Sequence, residues 1–268
     1  MKAATFFNRN RVFTYQEFLS ACGDNRSNNR RTLDSLLSYH VRKGHLLRLR
    51  RRLFASVEPE TDPGNQPVDA FLVASKIAND AVLAYHTALE FHGKAYSVHE
   101  RFTYLTQYRV QPFRFRSLQF RAIPFPCELV SRGQQSFSVE SLDRAGVPVN
   151  VTSLERTLVD VLDRSDLAGG WEEIWRSLEL VEFFALNKVI EYTRLLNNAT
   201  TAAKVGFFLE QHRKVLMVED KHLQPLKEQR PKSPHYLERR TRKDSRLVQR
   251  WNLIVPNRIL DRTWEEIV

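Results

Sequence analysis

The stretch HVRKGHLLRLRRRLFAS, residues 40–56, decides how the first part of the chain folds. It contains six Lys or Arg residues and no acidic residue. Leu47 and Leu49 alternate with arginines, and the apolar pattern resumes at Leu53, after the arginine triplet at 50–52. This alternation predicts a short β-hairpin whose tip is the arginine triplet.

Two helices are predicted ahead of the hairpin. Thr14 and Glu17 have the spacing of a capping box, in which each side chain accepts a backbone hydrogen bond from the other residue. In the second helix the residues that share one apolar face are Leu33, Leu36, Leu37 and His40. We expect that helix to stop at Gly44. Helix, turn, helix and basic hairpin within residues 1–57 are the outline of a winged helix-turn-helix domain.

The formal net charge of +10 is concentrated in two blocks. Residues 1–57 contain 12 Lys or Arg against 3 Asp or Glu, and residues 211–250 contain 12 against 5. Residues 58–210, with 15 against 20, are net acidic. A surface that only has to be soluble intersperses its signs, so the clustering indicates anionic partners. For the first block, the residues leave open duplex DNA, RNA or another polyanion, and a solvated basic face.

Beyond the hairpin the composition changes. EPETDPGNQP, residues 58–67, holds three prolines and one glycine and is predicted to be a linker. Residues 68–268 then form the second domain. The segments predicted there are helices over 68–80 and 81–93, strands within 101–125 and 147–151, a second capping box at Thr152 and Glu155, and helices up to about residue 213. The predicted fold class is α+β: an N-terminal winged helix-turn-helix followed by a larger mixed α/β domain, helix-rich toward the C-terminus.

The N-terminus has no apolar core of signal-peptide length, and no apolar stretch is long enough to span a bilayer. Cys22 and Cys127 form no CxxC pair, so we expect two separate buried thiols rather than a zinc site or a disulfide. These features predict a cytoplasmic protein that does not associate with membranes.

The sequence gives little sign of catalysis. It contains no nucleophile elbow, zinc-protease motif, Walker loop or Rossmann fingerprint. Asp160, Asp163 and Asp166 form a carboxylate row that could hold a metal, although polar helix faces commonly look like this. We therefore expect no enzyme, no cofactor and no metal. The alternatives are a metal-dependent nuclease with a DNA-binding head and a non-catalytic module that binds protein or RNA.

Several stretches of this chain, and the order in which they follow each other, resemble those of the AbiEi family. They are YHTALEFHG (residues 85–93), VTSLERTLVDVLDRSDLAGGWEEIWRSLE (151–179), KVGFFLEQH (204–212) and WNLIVPNRI (251–259). The resemblance spans almost the whole chain. One departure lies in the hairpin: where the family often has R-G-L-Y, this chain has RRLF, with Arg52 in place of glycine. Because positive φ is less comfortable without glycine, another turn geometry is expected at the tip.

The resemblance implies an antitoxin of a bacterial abortive-infection, type IV toxin–antitoxin system that acts in phage defence. Such a protein binds inverted repeats in its own promoter through the winged helix and represses its own transcription. It also counteracts a partner toxin that resembles a nucleotidyltransferase, with or without a direct complex. The implied partners are thus double-stranded operator DNA and the cognate toxin.

We assign candidate DNA contacts to the second helix and the hairpin. At the start of the helix, the residues expected to face base edges are Asn28, Asn29, Arg30, Arg31 and Ser35. Arg suits guanine and Asn suits adenine, because each of these side chains can form two hydrogen bonds at once with the edge of that base. The residues expected to neutralise phosphates are Arg42, Lys43, Arg48, Arg50, Arg51 and Arg52. The second basic block, 211–250, fits a solvated surface, further DNA contact or a patch for the toxin or its RNA substrate.

The two groups of DNA contacts should respond differently to mutation. Replacing Arg50, Arg51 and Arg52 by Ala should weaken binding to every duplex alike, because phosphates carry no sequence. Replacing Asn29 or Arg31 should instead reduce the preference for the operator over a scrambled duplex. Fluorescence anisotropy on both duplexes measures the two effects. An equal loss on both duplexes after Asn29→Ala would remove Asn29 from the base-reading group.

Overall fold

The computed structural model describes residues 1–23, 30–238 and 244–262, and the chain is a mixed α/β protein. The helices of its N-terminal unit are α1 (Ala3–Arg9), α2 (Tyr15–Cys22) and α3 (Arg30–Arg42). Its strands are β1 (Val12–Thr14), β2 (Leu46–Arg50) and β3 (Leu53–Ser56). They form an antiparallel sheet in the order β1-β3-β2. The predicted hairpin is therefore present as β2 and β3.

Local signals at both ends of the helices are confirmed. The Thr14 N–H donates to Glu17 Oε2 at 2.6 Å, and the Glu17 N–H donates to Thr14 Oγ1 at 3.2 Å, which completes the capping box of α2. After α3, Gly44 has φ +76°, and a Cβ there would lie 2.7 Å from Pro63 Cγ. Glycine is thus required at this turn both for its backbone conformation and for its size.

The second part of the chain is built on a mixed sheet. Its strands are β4 (Val82–Leu83), β5 (Arg101–Leu105), β6 (Phe113–Phe115), β7 (Leu118–Ile123), β8 (Val139–Arg144) and β9 (Val147–Thr152). Their order is β6-β7-β5-β4-β9-β8. The edge pairs β6–β7 and β8–β9 are antiparallel, and the inner pairs β7–β5 and β4–β9 are parallel. The strands predicted within 101–125 and 147–151 are confirmed.

Helices surround this sheet and fill the C-terminal half. They are α4 (Ala70–Ser75), α5 (His86–Phe91), α6 (Cys127–Ser131), α7 (Leu154–Asp163), α8 (Trp171–Glu179), α9 (Leu186–Leu196), α10 (Ala199–Gln211), α11 (Asp220–Gln229) and α12 (Asn257–Leu260), with a 3₁₀ turn at Ser165–Leu167. The last strands, β10 (His235–Tyr236), β11 (Ser245–Val248) and β12 (Leu253–Pro256), form a small sheet in the order β10-β12-β11. Helix enrichment toward the C-terminus is confirmed.

Two local expectations are wrong. Residues 81–93 are not one helix, because Val82 and Leu83 form β4 at the centre of the mixed sheet and α5 begins only at His86. A short apolar run fits a buried strand as well as a buried helix, and pairing with β5 and β9 decides it here. Cys127 is exposed at the start of α6, whereas Cys22 is buried as expected.

The second capping box is also wrong. The residue that caps α7 is Ser153, whose hydroxyl accepts the Arg156 N–H at 3.4 Å. Thr152 ends β9, and its hydroxyl lies 2.7 Å from that of Thr157. Glu155 accepts a hydrogen bond from the Ala185 N–H at 3.1 Å, so its carboxylate ties α7 to the segment before α9.

The small N-terminal sheet packs on both of its faces. Phe13 and Phe54 point into an aromatic cluster with Phe6, Phe7 and Phe18 from α1 and α2. Neighbouring residues of the same strands point the opposite way, into a core shared with α4 and the mixed sheet; they are Val12, Leu53 and Ala55. Successive side chains of a strand lie on opposite faces, so one sheet serves both cores.

Polar contacts strengthen this packing between the two parts of the chain. Lys76, just after α4, forms an ion pair with Glu17 of α2. Burial raises the pKa of the Glu17 carboxyl, but hydrogen bonds from Lys76 and Thr14 outweigh that effect, and the pKa is lowered. Segment 58–67 is held by Arg116, which lies between β6 and β7. Its guanidinium donates to the carbonyl oxygens of Pro63 and Gln66, both at 2.6 Å. The segment has no helix or strand, yet it is held against the mixed sheet.

A buried polar cluster lies under α7. Arg156 and Asp160 are fully or almost fully buried, and the Arg156 guanidinium donates to the carbonyl oxygens of Gln135 and Phe137 at 2.9 and 2.7 Å. The Tyr192 hydroxyl donates to Asp160 at 2.7 Å. Burial raises the pKa of Asp160 to about 6, against the opposing charge of Arg156. The cluster fixes the loop before β8 onto α7.

Among the described residues, no helix combines the length and the apolar character that a membrane span requires.

Gly206, in the middle of α10, is where we expect a small substitution to be costly. A Cβ on Gly206 would lie 2.2 Å from the ring of Trp251, which is fully buried and donates to Glu210 at 2.6 Å. Gly206→Ala should therefore lower the free energy of unfolding by about 1–3 kcal/mol through overpacking. This is the reverse of the gain of about 1 kcal/mol that alanine gives inside an unhindered helix.

Urea denaturation of the full chain measures this change, with Asn187→Ala, at an exposed position of α9, as the control. An increase in stability for Gly206→Ala would show that Trp251 does not pack as described.

Candidate nucleic-acid interface

An arginine-rimmed groove of about 510 Å³ lies between α3 and the β2–β3 hairpin. The residues that line it are Tyr15, Arg30, Asp34, Leu37, Ser38, Val41, Arg42, Arg48, Arg51, Arg52 and Phe54. Leu37, Val41 and Phe54 give it an apolar floor. The groove combines cations at the rim with apolar surface below, which suits an extended anionic partner.

The five arginines of the groove are exposed. Within the described ranges, none of them forms an ion pair with a carboxylate. Asp34 is the acidic residue of the lining. Five cations that share one groove raise the local positive potential, and the carboxylate of Asp34 offsets only part of it.

At the tip of the hairpin, Arg52 adopts the left-handed backbone conformation that favours glycine. Arg52 has φ +64°, and its carbonyl accepts the Tyr15 N–H at 2.9 Å. Its guanidinium lies over the Tyr15 ring, 5.8 Å from the centroid. Arg52 thus adopts the positive φ that is less comfortable without glycine, and contacts with Tyr15 hold it.

Apart from Arg50, the predicted DNA-contact residues fall into three groups. In the groove it brings together Arg30, Arg42, Arg48, Arg51 and Arg52. Arg31, Ser35 and Lys43 are exposed on or just after α3 but do not line the groove. Asn28 and Asn29 lie outside the described residues.

Arg50 stands apart from the other arginines of the hairpin. It is half-buried, and its guanidinium lies 5.0 Å from the centroid of the Phe113 ring in β6. The register of the hairpin shifts between Arg48 and Arg50, and this irregularity directs Arg50 toward the mixed sheet. Arg50 therefore belongs to the contact between the two parts of the chain rather than to the groove.

Sequence reasoning missed Tyr15, Asp34 and Ser38 as groove residues. Arg30, Asp34 and Ser38 follow each other at four-residue spacing, so a stricter reading of the helical period would have placed them on one face of α3. Tyr15 gave no comparable signal, because the chain brings it to the groove only through its contact with the hairpin tip.

Of the eight Lys or Arg residues of the second basic block that the structure describes, three form ion pairs with carboxylates. Arg213 contacts Asp220 at 3.1 Å, and Arg250 contacts Glu210 at 2.8 Å. Lys221 contacts Glu219 at 3.0 Å. Residues 239–243, with three arginines and a lysine, lie outside the described residues. These exposed ion pairs favour a solvated surface around Arg213, Lys221 and Arg250.

The carboxylates of Asp160 and Asp163 on α7 and of Asp166 in the following 3₁₀ turn have separate partners. Asp160 accepts a hydrogen bond from Tyr192, Asp163 accepts one from Thr201, and Asp166 forms an ion pair with Arg164 at 2.9 Å. In the part of the chain that the structure describes, the residues that could share a metal ion are instead His86, Glu90 and His99, on α5 and in the loop before β5.

Comparisons with known proteins add a fold and no family. No family model matches the sequence, and no curated protein matches it. The structure is similar to the crystal structure of the Rv2827c protein from Mycobacterium tuberculosis, with a TM-score of 0.63 and 18% sequence identity. The match covers 98% of this chain and 93% of that chain. At this identity the likeness shows a shared fold, which extends over nearly the whole of both chains.

Arg50 and Arg51 should behave as opposites, although they are neighbours. Arg51→Ala should reduce retention on a heparin column, because an unpaired exposed charge is lost, and should leave stability within about 0.5 kcal/mol. Arg50→Ala should lower the free energy of unfolding by about 1 kcal/mol, through lost stem packing and the contact with Phe113, and should change retention less.

Heparin elution and urea denaturation of the same two variants test this pair. Equal loss of retention in both variants would place Arg50 in the groove after all.

Proposed function

We propose that this protein is a DNA-binding transcriptional autorepressor and antitoxin of the AbiEi type. Its N-terminal unit acts as a winged helix-turn-helix: α2 and α3 form the helix pair, and the β2–β3 hairpin is the wing. The observation that carries the proposal is the groove in which Arg30 and Arg42 of α3 lie together with three arginines of the hairpin, Arg48, Arg51 and Arg52.

The order of elements supports this assignment. Helix, strand, two helices and a hairpin follow each other from α1 to β3, and β1 completes the sheet beside the wing. In winged-helix proteins the second helix of the pair enters the major groove, which is wide enough for a helix, and the wing follows the backbone. Here α3 is 13 residues long and exposes polar side chains on the side away from Leu33 and Leu37.

Charge supports DNA over a neutral partner. Phosphate contacts supply most of the non-specific affinity for a duplex, and each contact releases counterions. The groove offers Arg30 and Arg42 from α3 and Arg48, Arg51 and Arg52 from the hairpin. The hairpin arginines suit phosphates, whereas Arg30 and Arg31 at the start of α3 suit base edges.

The antitoxin role rests on the resemblance in sequence rather than on the groove. It predicts that a neighbouring reading frame encodes a nucleotidyltransferase, and that the present protein counteracts its toxicity. Co-expression of the two in a bacterial host tests this role through growth rescue. Co-purification of the untagged toxin then distinguishes direct neutralisation from indirect opposition.

The DNA-binding role predicts a steep dependence on salt. Full-length protein should bind the duplex upstream of its own coding sequence, and log K should fall against log salt with a slope of about −4 to −5, since about five phosphates contribute roughly −0.9 each. Arg48→Ala and Arg51→Ala should each reduce the steepness by about 1.

Two variants sharpen this test. Arg52→Gly removes the charge while it suits the positive φ, so a loss of affinity there cannot come from a distorted turn. Arg109→Ala, at an exposed loop position outside the groove, serves as the control. A slope near zero for the parent protein would rule out the DNA-binding role.

A further inference from the structure

Two histidines and two glutamates meet beside α5, in the larger part of the chain. His86 is the first residue of α5, and Glu90 follows one helical turn later. His99 comes from the loop before β5, and Glu173 comes from α8. His86 is only 2% exposed, and the side chains of Glu90 and Glu173 are 7% and 10% exposed.

The hydrogen bonds at Glu173 fix which ring nitrogens carry protons. Glu173 accepts hydrogen bonds from the Ser97 N–H at 3.0 Å and from the Ser97 hydroxyl at 2.7 Å. A carboxylate only accepts, so His86 Nε2, 3.0 Å from Glu173 Oε1, is the donor. The Ser97 hydroxyl has already donated its proton, so it accepts from His99 Nε2 at 3.1 Å. Each Nδ1 therefore keeps its lone pair in the neutral ring.

The Nδ1 atom of His86 is buried and has no hydrogen-bond partner. It lies 2.9 Å from Glu90 Oε1, within ion-pair distance but without a hydrogen bond. Glu90 Oε1 itself accepts the His99 N–H at 2.8 Å. A nitrogen lone pair and a carboxylate oxygen at this distance repel each other unless a positive charge lies between them. A proton on His86 Nδ1 supplies that charge in the absence of metal, and a metal cation that replaces the proton satisfies both atoms.

We propose that His86, Glu90 and His99 bind one divalent transition-metal ion, with Glu173 orienting the histidines. One ligand atom from each of the three residues lies within 4.8 Å of the others. Histidines that bind metals usually donate their second ring N–H to a carboxylate or another acceptor, which fixes the ring. Glu173 accepts a hydrogen bond from His86 directly. Ser97 donates to Glu173 and accepts from His99, so it links His99 to the same carboxylate.

The ligand types indicate the class of ion. Two imidazoles and one carboxylate suit Zn²⁺ and its neighbours Co²⁺ and Ni²⁺, whereas Mg²⁺ and Ca²⁺ prefer oxygen ligands throughout. Three protein ligands leave one position of a zinc tetrahedron for water. His99 is partly exposed, so the fourth position faces solvent.

Binding requires a movement of His99. The two histidine rings stack with centroids 3.7 Å apart and planes 7° apart. An ion between parallel rings would lie outside their planes, so the ring of His99 must turn before both lone pairs reach one ion. Gly169 leaves space beside the ring: a Cβ there would lie 2.9 Å from His99 Cε1. Turning the partly exposed His99 ring ends its stack on His86, while the hydrogen bond to Glu173 continues to hold the buried His86 ring.

The test uses full-length protein without a histidine tag, stripped of metal by a chelator. Calorimetric titration with Zn²⁺ should give one ion per chain, and Co²⁺ should give the visible absorption of a tetrahedral site. His99→Ala and Glu90→Gln should each weaken Zn²⁺ binding by at least about tenfold, and Glu173→Gln by about 10–100-fold as an orienting residue. Histidine ring signals in NMR should show the stack of His86 and His99 opening on Zn²⁺ addition.

His235→Ala, an exposed histidine elsewhere, is the matched control and should leave the titration unchanged. A second control is needed because His40 Nδ1 and His45 Nδ1 lie 3.1 Å apart beside α3. Loss of binding only in His40→Ala or His45→Ala would assign the ion to that pair and overturn the proposal. No stoichiometric binding, or unchanged binding in both His99→Ala and Glu90→Gln, would overturn it as well. DNA binding by the same variants is a separate measurement, since this site does not rest on the proposed function.

Discussion

The architecture depends on one strand that serves two cores. In β3, Phe54 packs with the aromatic rings of α1 and α2, while Leu53 and Ala55 pack against α4 and the mixed sheet. Each large apolar side chain contributes about 1.5–3 kcal/mol when buried, so neither face can be released cheaply. The hairpin is consequently held from both sides along its length, and only its tip and the groove edge remain for charged side chains.

Much of this arrangement is readable from the sequence because it is local. The capping box at Thr14 and Glu17, the stop at Gly44 and the hairpin over residues 46–56 follow from spacing within a few residues. The assignment of Val82 and Leu83 to a helix failed, because a two-residue strand at the centre of a sheet is defined by its neighbours. Its pairing with β9 joins residues that are far apart in the chain.

The candidate sites show the same division. Arginines of the hairpin could be proposed from charge alone, but the register shift that turns Arg50 toward Phe113 is a property of the assembled sheet. The cluster of histidines and glutamates beside α5 could not be predicted from the sequence for the same reason. His86 and His99 come close only because α5 and the loop before β5 fold together, and Glu173 arrives from α8. Hydrophobic periodicity along one segment cannot predict contacts between side chains of different segments.

Arg52 shows how charge and backbone geometry oppose each other at the tip of the hairpin. A non-glycine residue at φ +64° raises the free energy of the folded state by about 1 kcal/mol relative to glycine. Arg52 nevertheless occupies this exposed turn. The contact with Tyr15 offsets part of this increase, because the ring and the Arg52 carbonyl hold the turn in place. An arginine at this turn places a cation at the tip of the hairpin, which fits the role proposed for the groove.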